Sequence, residues 1–92
     1  MRVTVTQKHI DKGLPCRSYA CPIAEAINDK GYVSSVTDES VYITSKSEAA
    51  RANNSDDVNW KKYTLPKSAK QFVNDFDSGK KVKPFTFEMR KR

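Results

Sequence analysis

The stretch Pro84-Phe85-Thr86-Phe87-Glu88-Met89 decides how the basic end of this 92-residue chain is folded. Apolar and polar residues alternate along it, which is the period-2 pattern of a strand with one buried face. Proline is tolerated at the first position of such a strand. The sequence therefore predicts a final strand over residues 84–89, with its Phe and Met side chains in the core.

The residues around this strand carry most of the net charge. Residues 80–92 hold six Lys and Arg against one Glu, a net charge of +5, whereas the preceding seventy-nine residues have a net charge of only +1. A cationic surface attracts phosphate backbones or acidic protein faces. Because the strand is anchored in the core, we expect a cluster of cations at each of its ends rather than a free polycationic tail.

The rest of the chain alternates between helix and strand patterns. Helix boundaries are marked by Pro22 at a first-turn position and by Gly31 and Gly79 just after two helix ends. The predicted elements are a strand at 2–6, a helical turn at 7–12, a helix at 22–30, strands at 32–37, 41–44 and 60–65, a helix at 68–77 and the strand at 84–89. The order β-α-β-β-β-α-β predicts an α+β fold, a single domain over residues 1–92 with two helices packed on one mostly antiparallel sheet.

Residues 45–59 differ in composition from the rest of the chain. They are rich in Ser, Asn, Asp and Ala, which predicts a polar surface loop with a helical alternative at 48–52. Trp60 follows this segment. Large aromatic side chains usually lie in the core of a small domain, although an exposed stacking platform is the alternative for this one.

The inventory of reactive side chains argues against an enzyme. A thiol nucleophile would need Cys16 or Cys21 beside His9, the only histidine. Asp11 is the carboxylate that could orient the ring, but no pocket motif surrounds these residues. The same histidine and cysteines supply three of the four ligands of a structural zinc site, with no apparent fourth. We therefore predict no catalytic residue, no metal and no cofactor, with His9 on a surface turn and both cysteines as free, small apolar side chains.

The basic residues are the candidate binding residues. Lys61 and Lys62 adjoin Trp60 and Tyr63, an aromatic-plus-cation arrangement that can bind single-stranded nucleic acid. The full set of candidates for partner or RNA binding is Arg17, Lys61, Lys62, Lys80, Lys81, Lys83, Arg90 and Arg92. The alternative interpretation is a solvated charged surface without a partner. No RNP-type or helix-turn-helix pattern indicates sequence-specific recognition.

Two parts of the chain together form a recognisable pattern. The first is Val5-Thr6-Gln7-Lys8-His9-Ile10-Asp11-Lys12-Gly13, followed by Cys16, Cys21-Pro22-Ile23-Ala24 and Ala26-Ile27; the second is Leu65-Pro66, Phe72-Val73-Asn74-Asp75-Phe76-Asp77-Ser78-Gly79-Lys80 and Val82-Lys83-Pro84-Phe85-Thr86-Phe87-Glu88. The chain resembles small proteins of phages and other mobile elements over nearly its full length, except residues 45–59. Within that group, its length and termini resemble the eighth family of phage anti-CRISPR proteins directed against type I-F systems.

This resemblance implies a non-enzymatic inhibitor that works in the host-cell cytoplasm. Its partner would be the type I-F RNA-guided surveillance complex, with contacts to protein subunits and guide RNA that block hybridisation of the target DNA; no membrane or small-molecule substrate is expected. The net charge of +6 argues against a DNA mimic, because a cationic protein is repelled from a channel that binds DNA. The alternatives are a general nucleic-acid-binding accessory protein of a phage and a thiol- or metal-dependent enzyme.

Overall fold

Two antiparallel sheets share the carboxyl-terminal segment of the chain. The computed structural model describes residues 1–51 and 59–91, the last of them by its backbone alone. In chain order the elements are β1 (Arg2–Val5), α1 (Gln7–Lys12), α2 (Pro22–Asn28), β2 (Tyr32–Val36), β3 (Ser40–Ser45), α3 (Lys46–Arg51), β4 (Lys61–Thr64), α4 (Lys67–Asp77), β5 (Phe85–Glu88) and β6 (Arg90–Lys91). One sheet has the strand order β1-β5 and the other β2-β3-β4-β6.

The chain changes its strand partner immediately after Met89. The Met89 N–H donates to the Met1 carbonyl at 2.8 Å, and the Met89 carbonyl accepts from Met1 N at 2.9 Å, which continues the pairing of β1 with β5. The next residue, Arg90, is already opposite Thr64 of β4. One extended segment therefore joins the two sheets, and Met89, which is only 2% exposed, fills the core at the junction.

The predicted alternation of the last strand is confirmed. Phe87 and Met89 are buried, Phe85 is half-buried, and the residues between them are exposed. Val3 of β1 lies opposite Phe87 and is fully buried, because the same period-2 pattern operates in both strands. These strands therefore form one wall of the core.

The helices α2 and α4 contribute to the same core cluster as the strands. Pro22 occupies the first position of α2, where its missing N–H costs no hydrogen bond, and Ile23 and Ile27 are fully buried. From α4, Phe72 stacks on Phe85 of β5 with ring centroids 4.7 Å apart. Aromatic pairs at this separation add about 0.5–1.5 kcal/mol to the burial of their apolar area.

The α+β class is confirmed, and the architecture differs from the prediction in detail. The predicted single sheet is divided into two, because the last extended segment pairs first with β1 and then with β4. The described residues form four helices rather than two, although α1 matches the predicted turn at 7–12 and only α2 and α4 are the helices predicted to pack on the sheet.

The segment predicted as a polar loop begins with helix α3. Ser45, the last residue of β3, accepts a hydrogen bond from the Glu48 N–H at 3.1 Å, which caps the helix start. The Glu48 carboxylate in turn accepts from the Thr44 hydroxyl at 3.0 Å. Residues 52–58 of the predicted loop lie outside the described residues. Trp60 is half-buried, which is intermediate between the two alternatives of a core residue and an exposed stacking platform.

Replacing Met89 should test its role at the junction. We expect Met89→Ala to lower the free energy of unfolding by about 2–5 kcal/mol, because truncation of a buried Met leaves a cavity. The matched variant Met89→Leu conserves the volume and should cost less than about 1.5 kcal/mol. Urea denaturation followed by circular dichroism measures both values. Equal costs for the two variants would contradict a packing role.

Candidate functional site

One face of the four-stranded sheet is turned away from the core. Val41 and Ile43 of β3 are buried on the inner face, so Tyr42 between them points outward. Residues directly opposite each other in an antiparallel pair share a face, and Tyr42 lies opposite Lys62. Thr64 lies opposite Arg90 on the same side. We call the surface formed by Tyr42, Lys62, Thr64 and Arg90 the outer sheet face.

The outer sheet face brings together two of the predicted binding residues, Lys62 and Arg90. They occupy diagonal positions on adjacent strands, which places their backbones about 7–8 Å apart. Lys62 Nζ lies 5.9 Å from the centre of the Tyr42 ring, a cation–π contact. Both cations are exposed, and neither forms an ion pair with a carboxylate among residues 1–51 and 59–91. Their charge is therefore available to an anionic partner.

Thr64 lies beside both cations, since it follows Lys62 by two residues on β4 and lies opposite Arg90. Its Oγ1 is buried and has no hydrogen-bond partner in the part of the chain that is described. Beside it, a cavity of about 250 Å³ is lined by Thr64, Leu65, Pro66, Glu88 and Arg90. A buried hydroxyl without a partner is uncommon in folded proteins.

Lys61 does not belong to the outer sheet face. It lies opposite Ile43, on the inner face of β4 near the end of the sheet, and it is exposed there. Tyr63 shares that inner face and packs against the core. Adjacent strand residues point to opposite faces, so Lys61 and Tyr63 are separated from Lys62 and do not act with it on one surface.

The three lysines at 80, 81 and 83 lie on the extended link between α4 and β5. Lys80 Nζ is 3.9 Å from Asp75 Oδ1, a weak surface ion pair. Lys81 and Lys83 are exposed and make no ion pair with any described residue. Because β5 separates this link from Arg90, the two predicted clusters of cations are at opposite ends of the strand. Arg92 lies outside the described residues.

Arg17 lies on the loop that connects α1 to α2. The neighbouring Cys16 N–H donates to Asp77 Oδ1 at 2.9 Å, so this loop contacts the end of α4. Arg17 also lines a cavity of about 200 Å³ together with Asp38 and Asp77. This surface has two carboxylates beside one cation, whereas the cavity beside Arg90 has one carboxylate, Glu88.

His9 has a structural role that the sequence did not indicate. It is buried rather than on the surface, and the Thr6 N–H donates to its Nδ1 at 2.9 Å. In the neutral ring Nε2 therefore carries the proton and donates to Asp29 Oδ2 at 2.6 Å. This hydrogen bond lowers the pKa of the Asp29 carboxyl below its usual range. His9 thus joins α1 to the end of α2.

The thiols are separate from His9. Both cysteines are free, as predicted; Cys21 is buried at the start of α2, but Cys16 is exposed, contrary to the prediction that it packs as an apolar group. Desolvation raises the pKa of the Cys21 thiol. Both nitrogens of His9 have partners other than sulfur, so a Cys–His nucleophile is not assembled here. Among the described residues, no three His, Cys, Asp or Glu side chains are grouped so that they could hold a metal ion.

The comparisons with known proteins give no relative. No protein-family model matches the chain, and neither a curated protein nor a solved structure is significantly similar to it. None of the helices in the described ranges has the length and apolar character needed to cross a membrane.

The His9–Asp29 pair should make stability depend on pH. Because the pKa of Asp29 is lower in the folded state, its ionised form contributes stability above the unfolded-state pKa, and this contribution is lost as the pH falls through the folded-state pKa. We expect Asp29→Asn to be less stable than the wild type at neutral pH and to approach it below about pH 4. Chemical denaturation at pH values from about 2.5 to about 7 measures the difference in the free energy of unfolding. This interval includes the pH range in which carboxyl groups titrate. In a His9→Ala background the difference should vanish; a pH dependence that persists there would assign it to another group.

The two cysteines should differ in reactivity. The thiolate is the nucleophile, so burial and a raised pKa protect Cys21, whereas Cys16 is exposed. We expect iodoacetamide to label native protein at Cys16 alone, as measured by mass spectrometry of peptides, and Cys16→Ser to remove that labelling. Comparable labelling of Cys21 in the native state would contradict its buried position. Unfolding in urea should expose both sites.

Proposed function

We propose that this protein is an inhibitor that binds an RNA-guided surveillance complex of type I-F and blocks hybridisation of the target DNA. The observation that supports this proposal best is that Lys62 and Arg90 share the outer sheet face with Tyr42 and form no ion pair with any described residue. This face contacts guide RNA, while other surfaces contact protein subunits. Inhibition is stoichiometric and takes place in the cytoplasm of the host cell.

The chemistry of the outer sheet face suits a single strand. Aromatic side chains on a sheet stack with unpaired bases, and neighbouring cations contact the phosphates. Tyr42 provides the ring, and Lys62 and Arg90 provide the charges. A DNA mimic would require carboxylates here instead.

The size of the protein suits interference with the start of hybridisation. Its longest dimension is 37 Å, which corresponds to about eleven nucleotides at 3.4 Å per nucleotide. Pairing of guide and target begins in a seed of about 8–12 nucleotides, and failure there aborts binding. One copy of the protein is therefore large enough to cover a seed segment.

A general nucleic-acid-binding accessory protein is the second candidate. The same aromatic and cationic face favours it, because stacking and phosphate contacts tolerate any sequence. The two functions differ in what they require. The inhibitor needs the assembled complex for tight binding, whereas the accessory protein would bind free single strands with an affinity that falls steeply as salt rises.

Neutralising the outer sheet face tests the proposed function. We expect Lys62→Gln/Arg90→Gln to weaken binding to the RNA-loaded complex and to restore target DNA binding. Loss of two phosphate contacts on a single strand should reduce the slope of log Kobs against log[salt] by about 1.4. The control Lys30→Gln/Lys67→Gln removes the same charge from exposed positions outside this face and should retain inhibition.

The remaining outcomes separate the candidates. If the wild type binds free RNA and the loaded complex equally well, the accessory function is correct. If inhibition survives Lys62→Gln/Arg90→Gln but is lost when Lys80, Lys81 and Lys83 are neutralised together, the link between α4 and β5 makes the RNA contact. If the wild type binds neither, the proposed function is wrong.

A further inference from the structure

The loop between α1 and α2 exposes the two large apolar side chains that stand out on the described surface. Leu14 is 53% exposed and Tyr19 is 58% exposed. The Leu14 N–H donates to the carbonyl of Ala20 at 2.8 Å, which brings the two ends of the loop side by side. Leu14 and Tyr19 therefore lie on one small protrusion. Isolated apolar residues on a surface are ordinary, but two on the same short loop form a patch.

Hydrogen bonds fix the shape of this loop. Within it, the Arg17 carbonyl accepts from the N–H of Cys21 at 2.9 Å. Toward the sheet, the Ser18 carbonyl accepts from the N–H of Val36 at 2.9 Å, and toward α4 the Cys16 N–H donates to Asp77 at 2.9 Å. The loop is thus attached to two other elements as well as to itself, and its backbone is ordered before any partner binds.

Close packing at the base of the loop adds to this constraint. Gly13 is buried against the Pro22 ring, and a Cβ at position 13 would lie 2.6 Å from three atoms of that proline. Only glycine permits this approach. A loop whose ordering has already occurred in the free protein loses little further entropy on binding, which favours affinity.

Two of the three side chains, Arg17 and Tyr19, are of the types that dominate protein–protein contacts. Tyrosine and arginine are enriched among the residues that carry most of the binding free energy. Arg17 is exposed between Leu14 and Tyr19 in the sequence and has no ion-pair partner among residues 1–51 and 59–91. A partner that fits this loop offers an apolar pocket with a border of mixed charge, because Arg17 lies beside Asp38 and Asp77.

The surrounding charges favour protein over nucleic acid as the occupant. Asp38 and Asp77 line the same cavity as Arg17 and would repel a phosphate. An aliphatic side chain such as Leu14 also offers no ring for base stacking. On the outer sheet face, Lys62 and Arg90 form no ion pair within the described ranges, and the nearby Glu88 is paired with the Met1 amino group and Arg2. In the strand order β2-β3-β4-β6 the loop adjoins β2, at the edge of the sheet farthest from β6.

We propose that Leu14, Arg17 and Tyr19 form a preorganised docking loop that inserts into an apolar pocket with a border of mixed charge on a protein subunit of the partner complex. This inference rests on the proposed function for the identity of the complex, but it assigns a separate surface to the protein contact. The two surfaces act independently, since the loop and the free cations are at opposite edges of the sheet.

The test compares substitutions on the loop in binding to the RNA-loaded type I-F surveillance complex. We expect Leu14→Ser/Tyr19→Ser to weaken binding by about 30-fold, the loss typical of central interface residues. Tyr19→Phe retains the ring and should lose less. The control Asn74→Ala alters an exposed residue of α4 and should bind as the wild type does. Thermal unfolding of each variant shows whether the fold is intact.

Each outcome identifies which proposal fails. If the wild type does not bind the complex, the proposed function fails. If the wild type binds and folded Leu14→Ser/Tyr19→Ser binds equally well, the docking loop is wrong and the proposed function stands. A second measurement uses free guide RNA. The loop substitutions should leave its binding unchanged. Weaker binding of free RNA by these variants would assign the loop to nucleic acid instead of protein.

Discussion

The change of strand partner at Met89 is the constraint on which the rest of the structure depends. Backbone hydrogen bonds join Met89 to Met1, and one residue later the chain pairs with β4. The alternation that buries Phe87 and Met89 is the same alternation that exposes Arg90. A slip of one residue in this register would turn Arg90 into the core and Met89 into solvent. The hydrophobic core thus fixes the position of a cation on the outer sheet face.

The cationic surface and the exposed apolar side chains lie on different parts of this protein. The outer sheet face has Lys62 and Arg90, whereas the loop between α1 and α2 has Leu14 and Tyr19. A phosphate-binding surface gains from unpaired cations and is weakened by salt, while an apolar contact depends on shape and water exclusion. Two surfaces of this kind are suited to a partner that is itself part protein and part RNA. Neither surface needs a catalytic group.

The sequence predicted the parts of the fold that depend on local patterns. The alternation at 84–89, the proline that begins α2 and the glycine after α4 correctly indicated a strand and two helices of the α+β fold. The partner change after Met89 has no local signal, because the alternation continues through it. Burial of His9 depends on Asp29, twenty residues away, although the Thr6-to-His9 spacing of a helix cap was a partial signal. The separation of Lys61 from Lys62 follows from strand periodicity and could have been predicted.

The pairing of β1 with β5 has a consequence for the order of folding. Val3 is opposite Phe87, so almost the entire chain must be closed into a loop before this pair forms. Closing a long loop lowers the conformational entropy of the chain before the new contact can stabilise it. Folds with many contacts between distant residues therefore form slowly. During synthesis, β2 and β3 can form a hairpin early, while β1 has no partner until β5 leaves the ribosome. Completion of the core by the β1–β5 pair therefore waits for β5.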